Sequence, residues 1–509
     1  MHTVYELVYL AGQRAPNRLA IIDDVTDRKL TYRELLNTID DLAAGFSAKG
    51  ITPGDVVATC LPNLYEHSLS LLALNRLGAI PALINARLKP EDVALLVEQG
   101  NMNGAIVMAD ENIVAKVSEK LPGGAPILTV GTAVTGSTSF LECYGDGLRL
   151  ESFRRPDIED TAFIFYTSGT TGLPKGVELS HRTTDARMLY MSMQCGLVHG
   201  RHNKVIGLMP LFHVVGFYSV FLGALGLDGT YYVCSAFDPE LVVETIPEEK
   251  ISLVYGTPTH FHALLAAPNF SPEKMSLVSN VVYAGAAMPG PLLERVGDNF
   301  NAKIVNIYGT TEIMNALYMP DPVGKPYTYR PGFYSNVKVG VFGASVHDEA
   351  AVNQDGELLV DASADATFTR YLYREDITAE KLIDGWYRTG DIARKREDGD
   401  FDVKGRVDDM IISGGENIYP EEVEAILIKH EKILECSIVG FADEQWGEIV
   451  VACIIGSGDN SNESEFDEYL KLSNLANYKR PRRYIFMDEL PKNATGKVLR
   501  RMLRQQVMG

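Results

Sequence analysis

Behind Thr31-x-x-Glu34, which has the form of a capping box, the apolar residues Leu35, Ile39, Leu42 and Phe46 recur at helical spacing until Gly50 ends the pattern. That spacing predicts a helix with one buried face. Downstream, short apolar runs alternate with amphipathic stretches: runs at 56–61, 79–84 and 105–108 predict strands, with helices through 69–77 and after Pro90. The rhythm returns with strand-like runs at 205–208, 231–234, 253–255, 281–284 and 304–307, each separated by a helical pattern. Such repetition implies parallel sheet covered by helices on both faces. Residues 1 to about 330 therefore read as two doubly wound α/β halves.

Between Phe333 and Lys404 the texture changes to short alternating runs broken by Gly and Asp, which predicts a small β unit. Beyond Asp408 a compact α+β pattern follows: a helix from Pro420, strands at 438–439 and 450–455, a helix near 463–472 and a last helix after Lys497. The expected fold class is α/β. A large N-terminal domain (1–407) would hold the two subdomains and the β unit, and a small α+β domain (408–509) would follow.

Composition adds mainly exclusions. Among 509 residues, 46% hydrophobic and 22% charged is ordinary for a soluble globular enzyme. No window approaches the roughly 18 apolar residues of a membrane helix, and the N-terminus lacks the order of a secretory signal. The expectation is no membrane association. Six cysteines at 60, 143, 195, 234, 436 and 453 show no CxxC spacing, which points to a reducing cytoplasm without a zinc site or disulfide framework. A net charge of -20 repels a nucleic-acid backbone. Against that background the C-terminal stretch is basic, with Lys or Arg at 479, 480, 482, 483, 492, 497, 500, 501 and 504 facing only Asp488 and Glu489. It is either a solvated tail or a segment that meets a polyanion.

The apolar run Ala162-Phe163-Ile164-Phe165-Tyr166 leads into TSGTTGLPKG (167–176), whose glycines, hydroxyls and lysine suit phosphate. Its GxxGxxK spacing is not the GxxxxGK[ST] of a Walker loop, and Pro174 makes Leu173 unsuited to begin a helix. A mobile flap over phosphates fits this chemistry, although by itself such a loop is as often a plain turn.

The loop has companions. YTSGTTGLPKG (166–176), YGTTE (308–312), GWYRTGD (385–391), GRVDDMIISGGENIYP (405–420) and PKNATGK (491–497) resemble, in order and spacing, the motifs of the adenylate-forming superfamily. That superfamily holds acyl-CoA synthetases, nonribosomal adenylation domains and luciferases. Within it, PLFHVVGF (210–217) and IYGTTEIMNALYM (307–319) are similar to the 4-chlorobenzoate:CoA ligases. The resemblance implies an ATP-dependent, AMP-forming acid–thiol ligase for an aryl or compact cyclic acid, with CoA as acceptor. An adenylate donor to a separate carrier protein is the alternative. It further implies a cytoplasmic enzyme that leaves a homodimer open. A luciferase-like oxygenase, a non-catalytic nucleotide-binding regulator and a phosphate-hydrolysing NTPase fit the motifs less well.

Residue by residue, the resemblance gives Thr167, Ser168, Gly169, Thr170, Thr171, Gly172 and Lys175 to the ATP phosphates, and Tyr308 to adenine. Thr311, Asp391 and Arg406 would complete the nucleotide site, with Asp391 on the ribose. Glu312 would help hold Mg²⁺. Lys497 would bridge the acyl carboxylate and the α-phosphate, and His213 would gate or orient the carboxylate. Asp408 would be the hinge of a mobile C-terminal domain. After rotation, Gly414 and Gly415 would line a pantetheine tunnel, and Arg87, Trp446, Tyr478, Arg480 and Arg482 would hold the CoA nucleotide.

The implied acyl pocket is Tyr190, His213, Val214, Val215, Tyr255, Ile307, Gly309, Met314 and Asn315. It contains no charged anchor, so the acyl tail is expected to be uncharged, and Val214 or Val215 stands where amino-acid-activating domains carry aspartate. Tyr190, Tyr255 and Tyr478 stand where the chlorobenzoate ligase pattern has phenylalanine. The two pocket hydroxyls should therefore point away or meet a polar substituent, which brings hydroxybenzoates into consideration.

Overall fold

The computed structural model describes residues 1–23, 25–145, 155–167, 174–456, 462–493 and 496–508. The capping box forms as the pattern requires: Thr31 Oγ1 accepts from the Glu34 N–H, the Glu34 carboxylate accepts from the Thr31 N–H, and the helix Tyr32–Ala48 follows. Leu35, Ile39, Leu42 and Phe46 on its inner face are fully buried, at ~1.5–3 kcal/mol for each side chain.

An eight-stranded sheet runs in the order Arg370–Tyr371, Lys175–Ser180, Thr161–Thr167, Ile80–Leu83, Val56–Cys60, Gly104–Met108, Ile127–Val130, Thr138–Ser139. A nine-stranded sheet runs Arg330–Pro331, Leu317–Met319, Lys303–Tyr308, Asn280–Ala284, Leu253–Gly256, Lys204–Ile206, Thr230–Tyr232, Leu19–Asp23, Arg28–Thr31. Both are parallel in the middle and antiparallel toward an edge. One apolar core holds Phe163 and Phe165 of the first sheet together with Val305 and Ile307 of the second, and the helices at 183–193 and 215–222 are packed into it.

The two halves are not contiguous in sequence, which corrects the simplest reading of the pattern. Leu19–Asp23 crosses to the nine-stranded sheet, where Ile21 and Ile22 pair with Tyr231 and Tyr232, while Arg370–Tyr371 returns to pair with Val177 and Glu178. Hydrophobic period specifies a strand but not its neighbour.

The β unit forms a third, five-stranded sheet from Val337–Gly340, Asp355–Asp361, Leu382–Ile383, Trp386–Lys395 and Phe401–Arg406. After a short turn at Val407–Asp409 a fourth sheet begins with Ile411–Ser413. This last unit has its own core, in which Ile411, Val423, Ile438, Val450 and Phe466 are buried. A large N-terminal domain is thus followed by a smaller one. Among the described residues no helix is long and apolar enough to cross a membrane, and the six cysteines are free.

Candidate active site

The strand Lys303–Tyr308 delivers its last residue to the rim of a cleft of about 1430 Å³ that both domains line. There the Tyr308 hydroxyl donates to Asp391 Oδ2 at 2.5 Å. On the other side of the carboxylate, Arg406 Nη1 lies 3.3 Å from Asp391 Oδ1 and 3.1 Å from the Thr389 carbonyl. Asp391 and Arg406 face each other across adjacent antiparallel strands, so sheet register fixes the pair. Burial opposes the Arg406 cation, but Asp391 and Tyr308 outweigh it and raise its pKa. Burial, then Asp391, pushes the Tyr308 phenol up. The Asp391 oxygens each retain a lone pair for a ligand hydroxyl.

Past Tyr308 the chain doubles back sharply. A Cβ on Gly309 would meet the Met314 carbonyl oxygen at 1.3 Å, and Met314 itself has φ +56. Only glycine fits the first position. The turn is held from beneath by a residue that motif reading passed over, Arg187. Its guanidinium is completely buried and donates to the carbonyls of Thr311 (3.0 Å), Glu312 (3.1 Å) and Ala366 (2.8 Å). Burial lowers its pKa to about 10, so it stays charged. The only sequence signal was an arginine among Thr183, Thr184, Ala186, Met188 and Leu189 on a helix whose face is otherwise neutral.

Glu312, also buried, accepts from the Tyr371 hydroxyl at 2.7 Å. Tyr371 was likewise missed by motif reading, and the Lys175 ammonium lies 5.8 Å from its ring centroid. Burial first, then repulsion from Lys381 and Arg374, lowers the Lys175 pKa. Thr167 and Lys175 are register partners in an antiparallel hairpin, so a strand follows the glycine-rich loop where a helix would follow a Walker loop. Ser168, Gly169, Thr170, Thr171 and Gly172 lie outside the described residues. No cluster of three or more metal-type side chains occurs among the described residues. Mg²⁺ held by one carboxylate and substrate phosphates needs none, and Glu312 fits that donor set.

Of the expected acyl-pocket residues, Tyr190, Val214, Tyr255, Ile307 and Met314 lie in the large core of the first domain, with Val215 packed against it. Ile307 and Gly309 also line the cleft. Asn315 is taken up by Gln194, to whose Oε1 it donates. Tyr190 Oη bonds Ser219 Oγ. His213 Nε2 and Tyr255 Oη are buried without a hydrogen-bond partner among the described residues, a condition that costs ~1–3 kcal/mol for each such group. Burial, then the Arg87 charge, pushes the His213 pKa down to about 4, so the ring is neutral at pH 7.

From the second domain, Lys497 sits in a tight turn in which its N–H donates to Asn493 Oδ1 at 2.9 Å. Gly496, with φ +81, lies so close to Thr259 that an added Cβ would be 3.0 Å from Oγ1. The Lys497 side chain is exposed in the cleft that Tyr308, Gly309, Asp391 and Arg406 line, and it makes no ion pair among the described residues. Its basic neighbours differ. Lys479, Arg480, Lys492, Arg500 and Arg504 pair with Glu422, Asp467, Glu435, Glu421 and Asp409. Five of the nine basic residues of the tail are therefore paired inside their own domain.

The residues expected at CoA form separate groups. Arg482 lies 4.2 Å over the Trp446 ring, and Gly414 packs against that ring's edge. Tyr478 and Gly415 line the interdomain cleft, and no ring contact joins Tyr478 to Trp446 among the described residues. Arg480 is held by Asp467, and Arg87 lies on the first domain, where its charge reaches His213 and His260. Asp408 is exposed and makes no hydrogen bond or ion pair among the described residues, whereas adjacent Asp409 is bound by Arg500 and Arg504.

Family models agree with this arrangement. The AMP-binding enzyme model matches residues 9–372, and the AMP-binding enzyme C-terminal domain matches residues 422–497. A 4-chlorobenzoate–CoA ligase of Arthrobacter sp is 42% identical, covering 99% of this chain and 95% of its own length. That of Pseudomonas sp. strain CBS-3 is 38% identical, covering 100% and 95%. Among solved structures, ATP-bound MatB from Rhodopseudomonas palustris superposes with a TM-score of 0.89 at 22% identity over 99% of each chain. With its ordered motifs meeting in one interdomain cleft, the chain belongs to the AMP-binding enzymes, the adenylate-forming superfamily.

Proposed function

We propose that this protein is an ATP-dependent, AMP-forming CoA ligase for an aryl acid, acting in the cytoplasm. The observation that carries the reading is Lys497, an unpaired cation presented by the small domain to the cleft that also holds Tyr308, Asp391 and Arg406. A carboxylate is a poor electrophile. Its oxygen attacks the α-phosphorus of ATP, the bond to the bridging oxygen breaks, and pyrophosphate leaves. The thiol of CoA then adds to the acyl carbon of the mixed anhydride, loses its proton, and AMP departs.

In the first step negative charge gathers between carboxylate and α-phosphate, and Lys497 stands where a cation offsets it. Asp391 accepts from the ribose hydroxyls, held in place by Tyr308 and Arg406. Thr167, Lys175 and the loop 168–172 take the β and γ phosphates, and Thr311 contributes from the following turn. Glu312 holds Mg²⁺, which supplies counter-charge to the phosphates when bound. Neutral His213 orients the acyl carboxylate without adding charge.

For the second step the domains 1–407 and 408–509 rotate about Asp408, which is exposed and makes no hydrogen bond or ion pair among the described residues, as suits a pivot. Lys497 withdraws, and Gly414, Gly415, Trp446, Tyr478, Arg480, Arg482 and Arg87 come to serve CoA. Pyrophosphate release across benzoates, cyclic aliphatic acids and fatty acids, with and without CoA, tests the reading. An exclusive response to long-chain fatty acids would overturn it, and comparing CoA with a pantetheinylated carrier protein decides the acceptor.

A further inference from the structure

Three hydroxyls from three elements meet deep in the acyl pocket: Tyr190 from the helix Thr183–Met193, Ser219 from the π-helix Val215–Leu222, and Tyr255 from the strand Leu253–Gly256. Tyr190 and Ser219 bond each other. Tyr255 Oη is fully buried and within interaction range of both, but makes no well-formed hydrogen bond among the described residues.

Sheet register gives the depth. Tyr255 is opposite Val282, and Val282 is opposite Val305, two residues before Ile307. At ~3.3 Å per residue this sets Tyr255 about 7 Å below Ile307, and Ile307, Tyr308 and Gly309 are where the strand opens into the cleft with Lys497. Tyr255 and Ile307 belong to the same apolar core, so they share a face of the sheet. The hydroxyls therefore lie at the end of the pocket remote from the reacting carboxylate.

The floor is neutral. Burial raises both phenol pKa values. Arg187, whose charge interacts with Tyr190, has its donors committed to main-chain carbonyls and the Met314 sulfur. An apolar or halogen substituent would leave Tyr255 Oη unsatisfied, a charged one would meet no counter-ion, and a hydroxyl could exchange hydrogen bonds with it.

We propose that Tyr255, supported by Tyr190 and Ser219, selects aryl acids bearing a neutral hydrogen-bonding substituent, a phenolic hydroxyl above all, at the ring end remote from the carboxylate. The proposal deepens the aryl-acid ligase reading and rests on it.

The test is kcat/KM of the full chain for CoA thioester formation from 4-hydroxybenzoate, 4-chlorobenzoate and benzoate, in wild type, Tyr255→Phe and Ser219→Ala. One hydrogen bond predicts that 4-hydroxybenzoate leads 4-chlorobenzoate by about tenfold in wild type and that Tyr255→Phe removes about tenfold of that ratio. Ser219→Ala should remove a smaller part. Ratios within one preparation do not depend on the fraction that folds. A wild-type preference for the chloro acid, with the ratio unmoved in Tyr255→Phe, would overturn the proposal while leaving the ligase reading intact. Failure of every benzoate to release pyrophosphate would remove the ligase reading, and the proposal with it.

Discussion

The interdomain cleft and the proposed floor of the acyl pocket handle polarity in opposite ways. In the cleft the fixed charges are paired and oriented: Arg406 and Tyr308 hold Asp391, and Tyr371 holds Glu312. Lys497 comes from the second domain and lacks an ion-pair partner among the described residues. On the floor no ion pair occurs among the described residues, and Tyr255 Oη stays without a hydrogen-bond partner among them. Charge chemistry needs preorganised groups because reorientation during reaction is costly. Substrate choice needs groups that only the right ligand satisfies, because a missing partner costs more than a present one gains.

Removing the mobile cation should break this contrast most. Lys497→Ala should slow pyrophosphate release by about 10²–10³, while thioester formation from supplied acyl-adenylate changes little. Unchanged pyrophosphate release would place Lys497 outside the first step. Next comes Arg187, which braces the turn between the two regions. Arg187→Met leaves the carbonyls of Thr311, Glu312 and Ala366 unpaired and should destabilise the protein by roughly 3 kcal/mol in urea unfolding. Unchanged stability would show that water replaces the guanidinium.

Acid sharpens the comparison. His67, His181, His213 and His260 are pushed down to about 4, chiefly by burial. Each is neutral in the folded chain and titrates near 6.5 when unfolded, so the unfolded state binds more protons between those values. Their contribution is complete above pH 6.5 and is lost as pH falls toward 4, at ~1–3 kcal/mol each. Denaturant midpoints at pH 7.5, 6 and 5 should decline in that order, and a flat series would refute the burial argument. His181 Nδ1 accepts from the Val4 N–H and His260 Nδ1 from the Thr257 N–H, so protonation at Nδ1 would break a hydrogen bond at each. Smallest is Tyr308→Phe, which removes one support of Asp391 and should raise the KM for ATP a few-fold, the effect of ~1 kcal/mol.

Local signals were legible because their causes are local. The Thr31–Glu34 capping box and the helix behind it follow from four residues and a period. Pro174 excluded a helix after the glycine-rich loop, and a strand from Lys175 follows it. Arg187, Ser219 and Tyr371 were illegible for the opposite reason. Nothing in their surroundings along the chain differs from an ordinary helix or strand, and each acts on residues 124, 29 or 59 positions away. The pairing of the basic tail was illegible because its acidic partners at 409, 421, 422, 424, 435 and 467 lie upstream of it.

By itself the sequence determined the element types, the two-domain order and the motifs of an adenylate-forming enzyme, since period, capping and short-range phosphate chemistry are written in adjacent residues. Only the tertiary structure decided that Leu19–Asp23 crosses to the distant sheet and that Lys479, Arg480, Lys492, Arg500 and Arg504 of the tail pair inside their own domain. It also decided that the hydroxyls of Tyr190, Ser219 and Tyr255 come together in the core of the first domain. These outcomes depend on strand partners and on burial, which arise from the competition of all apolar surfaces for one core and leave no trace in any short window.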